Sequence, residues 1–75
     1  MKQRTYRILL TPEEEGGFSV SVPVLPGCFT QGGTIEEAIE MAKGAISLYV
    51  ESLEEGGEPV PDDSKSLEYS LTFAF

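Results

Sequence analysis

The side chains in this sequence that could take part in catalysis or metal binding are mainly its carboxylates. The chain has thirteen Asp and Glu residues, one cysteine and no histidine. Metal-assisted cleavage of a phosphodiester needs several carboxylates that converge on one point. The segment 2–11 contains no acidic residue, Glu68 is alone in the last predicted strand, and Asp62 and Asp63 follow a proline in a loop. Without histidine, acid–base cleavage of RNA also lacks its usual side chain. The sequence therefore predicts no catalytic residue, no metal site and no cofactor.

Cys28 is the other residue that could do chemistry, and its surroundings favour a structural role. A lone cysteine cannot form an internal disulfide, and the lack of histidine removes the partner that an activated thiolate or a zinc site would need. Its neighbours are Gly27 and Phe29. We predict that Cys28 is a small buried hydrophobic residue.

The balance of charge points towards binding rather than catalysis. Thirteen acids against five bases give a net charge of −8, which repels phosphate backbones and membrane surfaces and attracts a basic protein. Solubility is the simpler explanation of the same charge. The only basic cluster is formed by Lys2, Arg4 and Arg7, so we expect no direct binding of nucleic acid.

Length and composition are typical of one small cytoplasmic domain, which we expect to span residues 1–75. A chain of this size hides roughly 60% of the surface that its unfolded form exposes. No apolar run approaches the roughly 20 residues that a membrane span needs. The first ten residues go straight into a strand pattern and show no signal-peptide cleavage site.

Alternating apolar and polar residues predict four strands. The clearest is 18–22, where Phe18, Val20 and Val22 alternate with serines. The turn before it, at 12–17, carries a proline, three glutamates and two glycines, a composition typical of a tight connection. The strands are predicted at 3–10, 18–22, 28–31 and 67–75.

One long helix is predicted over 35–53, between a clear start and a clear stop. Thr34 and Glu37 fit a capping box, in which the hydroxyl and the carboxylate satisfy free backbone N–H groups reciprocally. Two glycines at 56–57, followed by prolines, end the helix. The predicted core stripe consists of Ile35, Ala38, Ile39, Ala42, Ala45, Ile46, Tyr49 and Leu53.

Three helix positions outside this stripe leave alternatives open. Gly44 costs roughly 0.8–1 kcal/mol relative to alanine in a helix. We predict that close packing against the sheet compensates for this cost, with packing against a second subunit as the alternative. Met41 and Leu48 either widen the core contact or form a second apolar seam for a partner, and the sequence favours neither.

The order β-β-β-α-β predicts an α+β fold, a two-layer sandwich with one helix across one face of the sheet. The last strand is expected to pair with the first. Because one helix cannot cover both faces, and because Phe73 and Phe75 would lie at an open edge, we predict a homo-dimer or higher homo-oligomer.

The ordered proline, glycine and threonine residues between the second strand and the helix resemble the core motif of HicB-like antitoxins, the antidote halves of prokaryotic toxin–antitoxin systems. The likeness covers about residues 5–61. It implies a truncated ribonuclease-H-like or double-stranded-RNA-binding-like fold. We interpret its residues as scaffold that forms the corner, the strand and the helix cap: Gly17, Pro23, Leu25, Pro26, Gly27, Cys28, Thr30, Gly32, Thr34, Glu37 and Ala38.

The resemblance also implies a partner, the small basic HicA-type toxin, which is an mRNA-cleaving ribonuclease. A negative surface can mimic RNA, attract the toxin and mask its active site. The alternative is an orphan domain that acts as a small oligomeric scaffold or regulator of unrelated proteins. On the sign of their charge, the candidate partner-binding residues are Glu13, Glu14, Glu15, Glu54, Glu55 and Glu58.

The resemblance bears on DNA as well. Many members of that family continue into a C-terminal helix-turn-helix or ribbon-helix-helix domain, whereas this sequence stops at Phe75. We therefore expect a stand-alone N-terminal domain that does not bind DNA specifically.

Overall fold

The computed structural model describes residues 3–74 and confirms the α+β fold, with three antiparallel strands followed by one long helix. The sheet has the order β1-β2-β3, so β1 and β3 are its two edges. The elements are β1 (Leu9–Pro12), β2 (Phe18–Ser21), β3 (Phe29–Gly32) and α1 (Ile35–Glu55).

Strand register places Val20 at the centre of the sheet, opposite Leu10 on one side and Thr30 on the other. The first core cluster forms beneath it, where Val20 packs with Ala38 and Ala42 of α1. The second cluster consists of Val22, Leu25 and Cys28 and is covered by the second half of the helix. The alternation in 18–22 therefore reports a face that is indeed buried against the helix.

The corner between β2 and β3 closes over the second cluster. Leu25 N–H donates to Val22 O (2.9 Å), and Cys28 N–H donates to Leu25 O (3.0 Å). Gly27 has φ +80°, a conformation that favours glycine. Cys28 is buried as predicted, and burial raises the pKa of its thiol.

The capping box forms with one difference from its expected geometry. Thr34 Oγ1 accepts from Glu37 N–H (3.0 Å), as predicted. The Glu37 carboxylate reaches one residue further back and accepts from Gly33 N–H (2.7 Å). The helix thus begins at Ile35 as the sequence predicts.

The other end of α1 is a glycine stop with two characteristic hydrogen bonds. Gly57 has φ +67°, its N–H donates to Glu54 O (3.1 Å), and Glu58 N–H donates to Leu53 O (2.9 Å). This pair of bonds is the Schellman motif, which satisfies the last helical carbonyl groups. The helix ends at Glu55, slightly beyond the predicted residue 53.

Helix and sheet approach each other very closely at Gly32. A Cβ atom built on Gly32 would lie 2.4 Å from Ala38 N and 2.6 Å from Ala38 Cα. No side chain fits in that space, so the two backbones touch directly and the helix start is locked to the end of β3. Gly32 is therefore required here by proximity rather than by a special φ.

The predicted fourth strand is wrong within the described residues. Residues 67–74 form no ladder, and Phe75 lies outside the described residues. The first strand is also shorter than predicted, because β1 covers Leu9–Pro12 instead of 3–10. A proline at the outer edge of a four-residue strand leaves little for another strand to pair with. Alternation of apolar and polar residues indicates which face of a strand is buried. It does not indicate whether the edge of a sheet is free to pair with that strand.

Two expectations about the helix, at Gly44 and in the core stripe, need correction, and one question that the sequence left open is decided. The space around Gly44 is open, so it does not pack against the sheet. Met41 and Leu48 are exposed and do not widen the core contact. Ile35 and Ile39 of the predicted stripe are exposed as well. The cause is common to all five positions: a three-stranded sheet is too narrow to cover the whole apolar arc of the helix.

Candidate functional site

The six candidate glutamates form two groups at opposite ends of α1. We call Glu13, Glu14 and Glu15 the turn group, and Glu54, Glu55 and Glu58 the helix-end group. The turn group lies at the helix start, because a Cβ on Gly17 would come within 2.9 Å of Gly32 O, just before the helix. A helix of 21 residues is about 30 Å long. The structure therefore does not bring the two groups together into one site.

The turn group is held by a tight connection between β1 and β2. Glu13 N–H donates to Gly17 O (3.0 Å), and Gly16 N–H donates to Glu13 O (3.0 Å). Gly16 and Gly17 have φ of 101° and 80°, which permits the sharp reversal. All three glutamates point into solvent on this rigid turn. Their carboxylates are thus presented without any competing ion pair among the described residues.

An open groove of about 470 Å³ lies beside the turn group. Its lining includes the acidic residues Glu13 and Glu37 and the apolar residues Phe18 and Met41. A lysine or arginine side chain has a matching construction, with an aliphatic stem and a charged head. The groove is therefore suited to a basic side chain of a partner protein.

The helix-end group has a different environment. The last turn of α1 contains no basic residue, so its carboxylates lie at the negative end of the helix dipole, where negative charge is unfavourable. Arg4 pairs with Glu54 at 3.5 Å. Glu55 and Glu58 have no ion-pair partner within residues 3–74.

Sequence reasoning missed Glu37 as a wall of the groove and treated it only as a cap. The capping box itself carried the signal, because it places the first turn of α1 directly after β3. Glu36 adds a further carboxylate to the same end of the helix. Negative charge at a helix start is favourable, so these residues stabilise the helix as well as adding to the acidic surface.

The role of Asp63 was also missed. This residue is 8% exposed, and its Oδ2 accepts from Arg7 N–H (3.0 Å) while its own N–H donates to Thr5 O (2.7 Å). The sequence Pro-Asp-Asp-Ser is a turn signal that could have suggested such bonds. Asp63 thus joins the loop after the helix to the segment that leads into β1.

Neighbouring contacts complete this connection, which we call the clamp (residues 61–66 against residues 5–7). Tyr6 Oη donates to Pro61 O (2.7 Å), and burial raises the pKa of the Tyr6 phenol. Ser64 Oγ donates to Asp62 Oδ1 (2.9 Å), and this bond holds the pKa of Asp62 below its usual value. Arg7 Nη2 donates to Ser66 O (2.6 Å). The clamp is structural, and its carboxylates have partners.

The residues of the sequence motif lie in the corner, in β3 and at the helix start rather than at the acidic groups. Pro26 O accepts from Tyr49 Oη (2.7 Å), which ties the corner to the helix. Leu25 is almost completely buried. These positions shape the scaffold that presents the turn group.

The described residues show neither a cation site nor a membrane span. Within residues 3–74, no group of three or more potential metal ligands lies close enough together to hold an ion. In the same part of the chain, no helix is long and apolar enough to cross a membrane.

Comparison with a family model and with individual relatives points to the same protein family. The model of the HicB-like antitoxin of bacterial toxin–antitoxin systems matches residues 6–73. A protein of Thermoplasma acidophilum, named UPF0150 protein Ta0767, is 48% identical over 59 residues, which are 79% of this chain and 86% of that protein. Antitoxin HicB 1 of Photorhabdus laumondii is 44% identical over 61 residues, or 81% of this chain and 39% of the relative. Antitoxin HicB of Escherichia coli K12 is 41% identical over 56 residues, or 75% and 41%. The chain thus spans less than half the length of these two named antitoxins.

Proposed function

The chain belongs to the HicB-like antitoxin family, and from this premise we propose that it neutralises a HicA-type, mRNA-cleaving toxin by binding over its active surface. The proposed role involves no chemistry by this chain. The observation that carries the proposal is the exposed turn group beside a groove of about 470 Å³ with carboxylate walls.

Electrostatics favour this partner. A protein that cleaves mRNA must attract a polyanion, so its active surface is expected to be basic. This chain carries a net charge of −8 and presents the turn group on a rigid connection. Complementary charge speeds the encounter and favours one orientation over others. The acidic turn can therefore occupy the surface that RNA would use.

The two acidic groups have different proposed roles. The turn group and Glu37 would form direct contacts, because the groove offers depth, apolar lining and two carboxylates. The helix-end group would act at longer range. Only Glu54 of this group lines a groove, of about 370 Å³, and its carboxylate is already paired with Arg4. In this division the turn group sets how long the complex lasts, and both groups set how fast it forms.

The proposal also states that the chain does not bind nucleic acid directly. A surface with this charge opposes association with DNA or RNA, so the chain is proposed to act through protein contacts in the cytoplasm. A gel shift with its own promoter region at about 0.15 M salt should be negative. A sequence-specific complex that resists added salt would contradict this part of the proposal.

The decisive experiment compares two triple variants that change the net charge equally. One replaces Glu13, Glu14 and Glu15 with Gln, and the other replaces Glu54, Glu55 and Glu58 with Gln. Both should slow association with the toxin several-fold at low salt, and the difference should shrink as screening shortens the Debye length to about 8–10 Å. Only the turn-group variant should also dissociate faster. Surface plasmon resonance at two salt concentrations measures both rates.

Equal dissociation rates for the two variants would remove the turn group from the contact. Co-expression of the chain with its neighbouring basic protein, scored by growth and mRNA integrity, tests the function itself. Toxicity that this chain does not relieve, together with the absence of a complex on pull-down, would favour the orphan scaffold instead.

A further inference from the structure

The two acidic residues that line the groove beside the turn group have free carboxylate oxygens. Glu37 uses Oε1 to accept from Gly33 N–H (2.7 Å), and its other oxygen bonds nothing within residues 3–74. In the same part of the chain, the side chain of Glu13 makes neither a hydrogen bond nor an ion pair. The groove therefore has negative charge that no lysine or arginine of the described residues neutralises.

The cap bond holds the Glu37 carboxylate in place before any partner arrives. Because its bond to Gly33 N–H restrains the side chain, binding costs less conformational entropy at Glu37 than at a free glutamate. The same bond leaves one carboxylate oxygen for the partner. A cation in the groove must therefore find its second charged acceptor on another residue, and the β1–β2 turn supplies Glu13.

The helix dipole disfavours a cation at this end of α1 but does not outweigh the carboxylates. The start of a helix has the equivalent of about +0.5 charge, whereas Glu13 and Glu37 each contribute a full negative charge. Some of the backbone donors are also already bonded. Gly33 N–H donates to Glu37 Oε1, and Glu37 N–H donates to Thr34 Oγ1. The net field in the groove thus favours a cation.

The lining of the groove favours arginine over lysine. A guanidinium group is planar and has N–H donors around its edge, so it can bond carboxylates that belong to different elements. An ammonium group has all its donors on one nitrogen. Phe18 adds an aromatic ring, on which a guanidinium can stack, and Met41 adds an apolar surface for the stem. A guanidinium is also more weakly hydrated, so it leaves water at a lower cost.

Gly33 is a lining residue whose glycine identity the fold does not explain. It lacks the positive φ of Gly16 and Gly17. A Cβ atom built on Gly33 would meet only Glu37 Oε1, at 3.5 Å, which is an ordinary contact and not a clash like that at Gly32. A larger side chain would stand beside the Glu37 carboxylate. Glycine is expected here if a ligand approaches this part of the backbone closely.

We propose that the groove is an arginine site, in which the guanidinium of one arginine side chain lies between Glu13 and Glu37. The stem of that arginine lies along Phe18 and Met41. The inference rests on the proposed function for the source of the arginine, which is the active surface of the toxin. Gly33 then has a function, because its lack of a side chain keeps the groove open beside Glu37.

The arginine site can be tested on the full chain without the toxin. The probe is N-acetyl-arginine methylamide, and the corresponding lysine compound is its control. In an NMR titration, the arginine probe should shift the amide resonances of Gly16, Gly17 and Gly33 with a Kd of about 1 mM. The lysine probe should bind about fivefold more weakly. Equal affinities, or shifts confined to other residues, would overturn the proposal.

A charge-removing variant separates binding from capping. Glu37→Gln keeps an oxygen that can accept from Gly33 N–H, because glutamine also serves in a capping box. It should weaken binding of the arginine probe about tenfold. Glu36→Gln removes the same charge from the same turn but lies outside the groove, so it should weaken the probe less than about twofold. The free energies of unfolding of both variants should fall alike.

A second variant fills the groove without changing its charge. Gly33→Leu should weaken the arginine probe about fivefold or more, while the free energy of unfolding stays the same or rises, because the new side chain restricts the unfolded chain. Gly44→Leu adds the same side chain in open space outside the groove and should bind the probe like the wild type. Equal binding by both leucine variants would contradict the proposed place of the guanidinium.

The toxin complex tests the source of the arginine. Glu37→Gln and Gly33→Leu should each dissociate from the toxin about tenfold faster, unlike Glu36→Gln and Gly44→Leu. Replacing the arginines of the toxin one at a time with lysine should reveal one whose change is non-additive with Glu37→Gln. Unchanged dissociation of a neutralised toxin would overturn this inference and leave the proposed function intact. Probe binding in the groove of a chain that binds no toxin would support the arginine site and contradict the proposed function.

Discussion

The two ends of α1 are both acidic, but the helix dipole stabilises negative charge at one end and destabilises it at the other. At the start of the helix, Glu36 and Glu37 lie where the helix dipole favours negative charge, and Glu37 also caps the backbone. At its end, Glu54, Glu55 and Glu58 lie where the dipole opposes them, and only Glu54 has an ion pair, with Arg4 at 3.5 Å, among the described residues.

The attachment of the two ends differs as well. The helix start is fixed to the sheet by direct backbone contact at Gly32, where not even a Cβ atom fits. The second half of the helix is near a clamp made of side-chain and loop hydrogen bonds, centred on Asp63. Backbone contact tolerates no change of side chain, whereas a network of hydrogen bonds can lose one member and keep the others. The helix start should therefore be the more sensitive end.

The largest effect is expected for Gly32→Ala. The new Cβ would lie 2.4 Å from Ala38 N, so the helix start must move, at a cost of about 3 kcal/mol in the free energy of unfolding. At the other end, Gly57→Ala meets no atom within 4 Å and only strains a φ of +67°, which costs about 1 kcal/mol. Urea unfolding of both variants measures the two values. Similar losses would show that the helix start is not the tighter contact.

A smaller effect is expected at the clamp. Asp63→Ala leaves the Arg7 N–H without its acceptor at 3.0 Å, and loss of a buried hydrogen bond costs about 1–3 kcal/mol. Asp62→Ala, at the neighbouring and more exposed carboxylate, should cost less. Thermal unfolding followed by circular dichroism would rank the pair. If Asp62→Ala proved the more destabilising, Asp63 would not be the centre of the clamp.

The smallest effect has opposite signs at the two ends. Glu36→Gln should lower the free energy of unfolding by about 0.3–1 kcal/mol, and Glu55→Gln should raise it by a similar amount, because the helix dipole reverses its effect between the ends. Both changes remove one charge, so their effects on the net charge are equal. At about 1 M salt, where the Debye length is about 3 Å, both should nearly vanish. Chemical unfolding at low and high salt tests the comparison, and equal signs would contradict it.

The interaction of the glutamates with the helix dipole has opposite signs at the two ends of α1. This difference distinguishes glutamates that stabilise the fold from glutamates that do not. Glu36 and Glu37 have a structural reason to be acidic, whereas Glu55 and Glu58 lie where acidity costs stability. The turn group lies near the favourable end, and its Glu13 lines a groove together with Glu37. Acidity at the helix end is thus the part of the charge that the fold alone does not explain, and long-range attraction of a basic partner is the explanation that we propose.

Local signals in the sequence predicted most of the scaffold. The capping residues predicted the helix start at Ile35, and the alternation of Phe18, Val20 and Val22 predicted the central strand. The glycine pair at 56–57 gave the stop to within two residues. These features depend on a few neighbouring residues, so a window of the sequence contains all the information needed. The family resemblance came from the same region and was confirmed.

The sequence by itself thus determined the order of the first three strands and the helix, the helix caps, the buried cysteine and the excess of negative charge. Only the tertiary structure decided that the candidate glutamates form two separate groups, that Glu37 joins Glu13 in a groove, and that Asp63 is a buried acceptor. It also decided that residues 67–74 do not form the predicted fourth strand. The physical reason is that caps and alternation are short-range properties. A groove or a clamp depends instead on which distant segments meet, and on how wide a sheet is available to cover the helix.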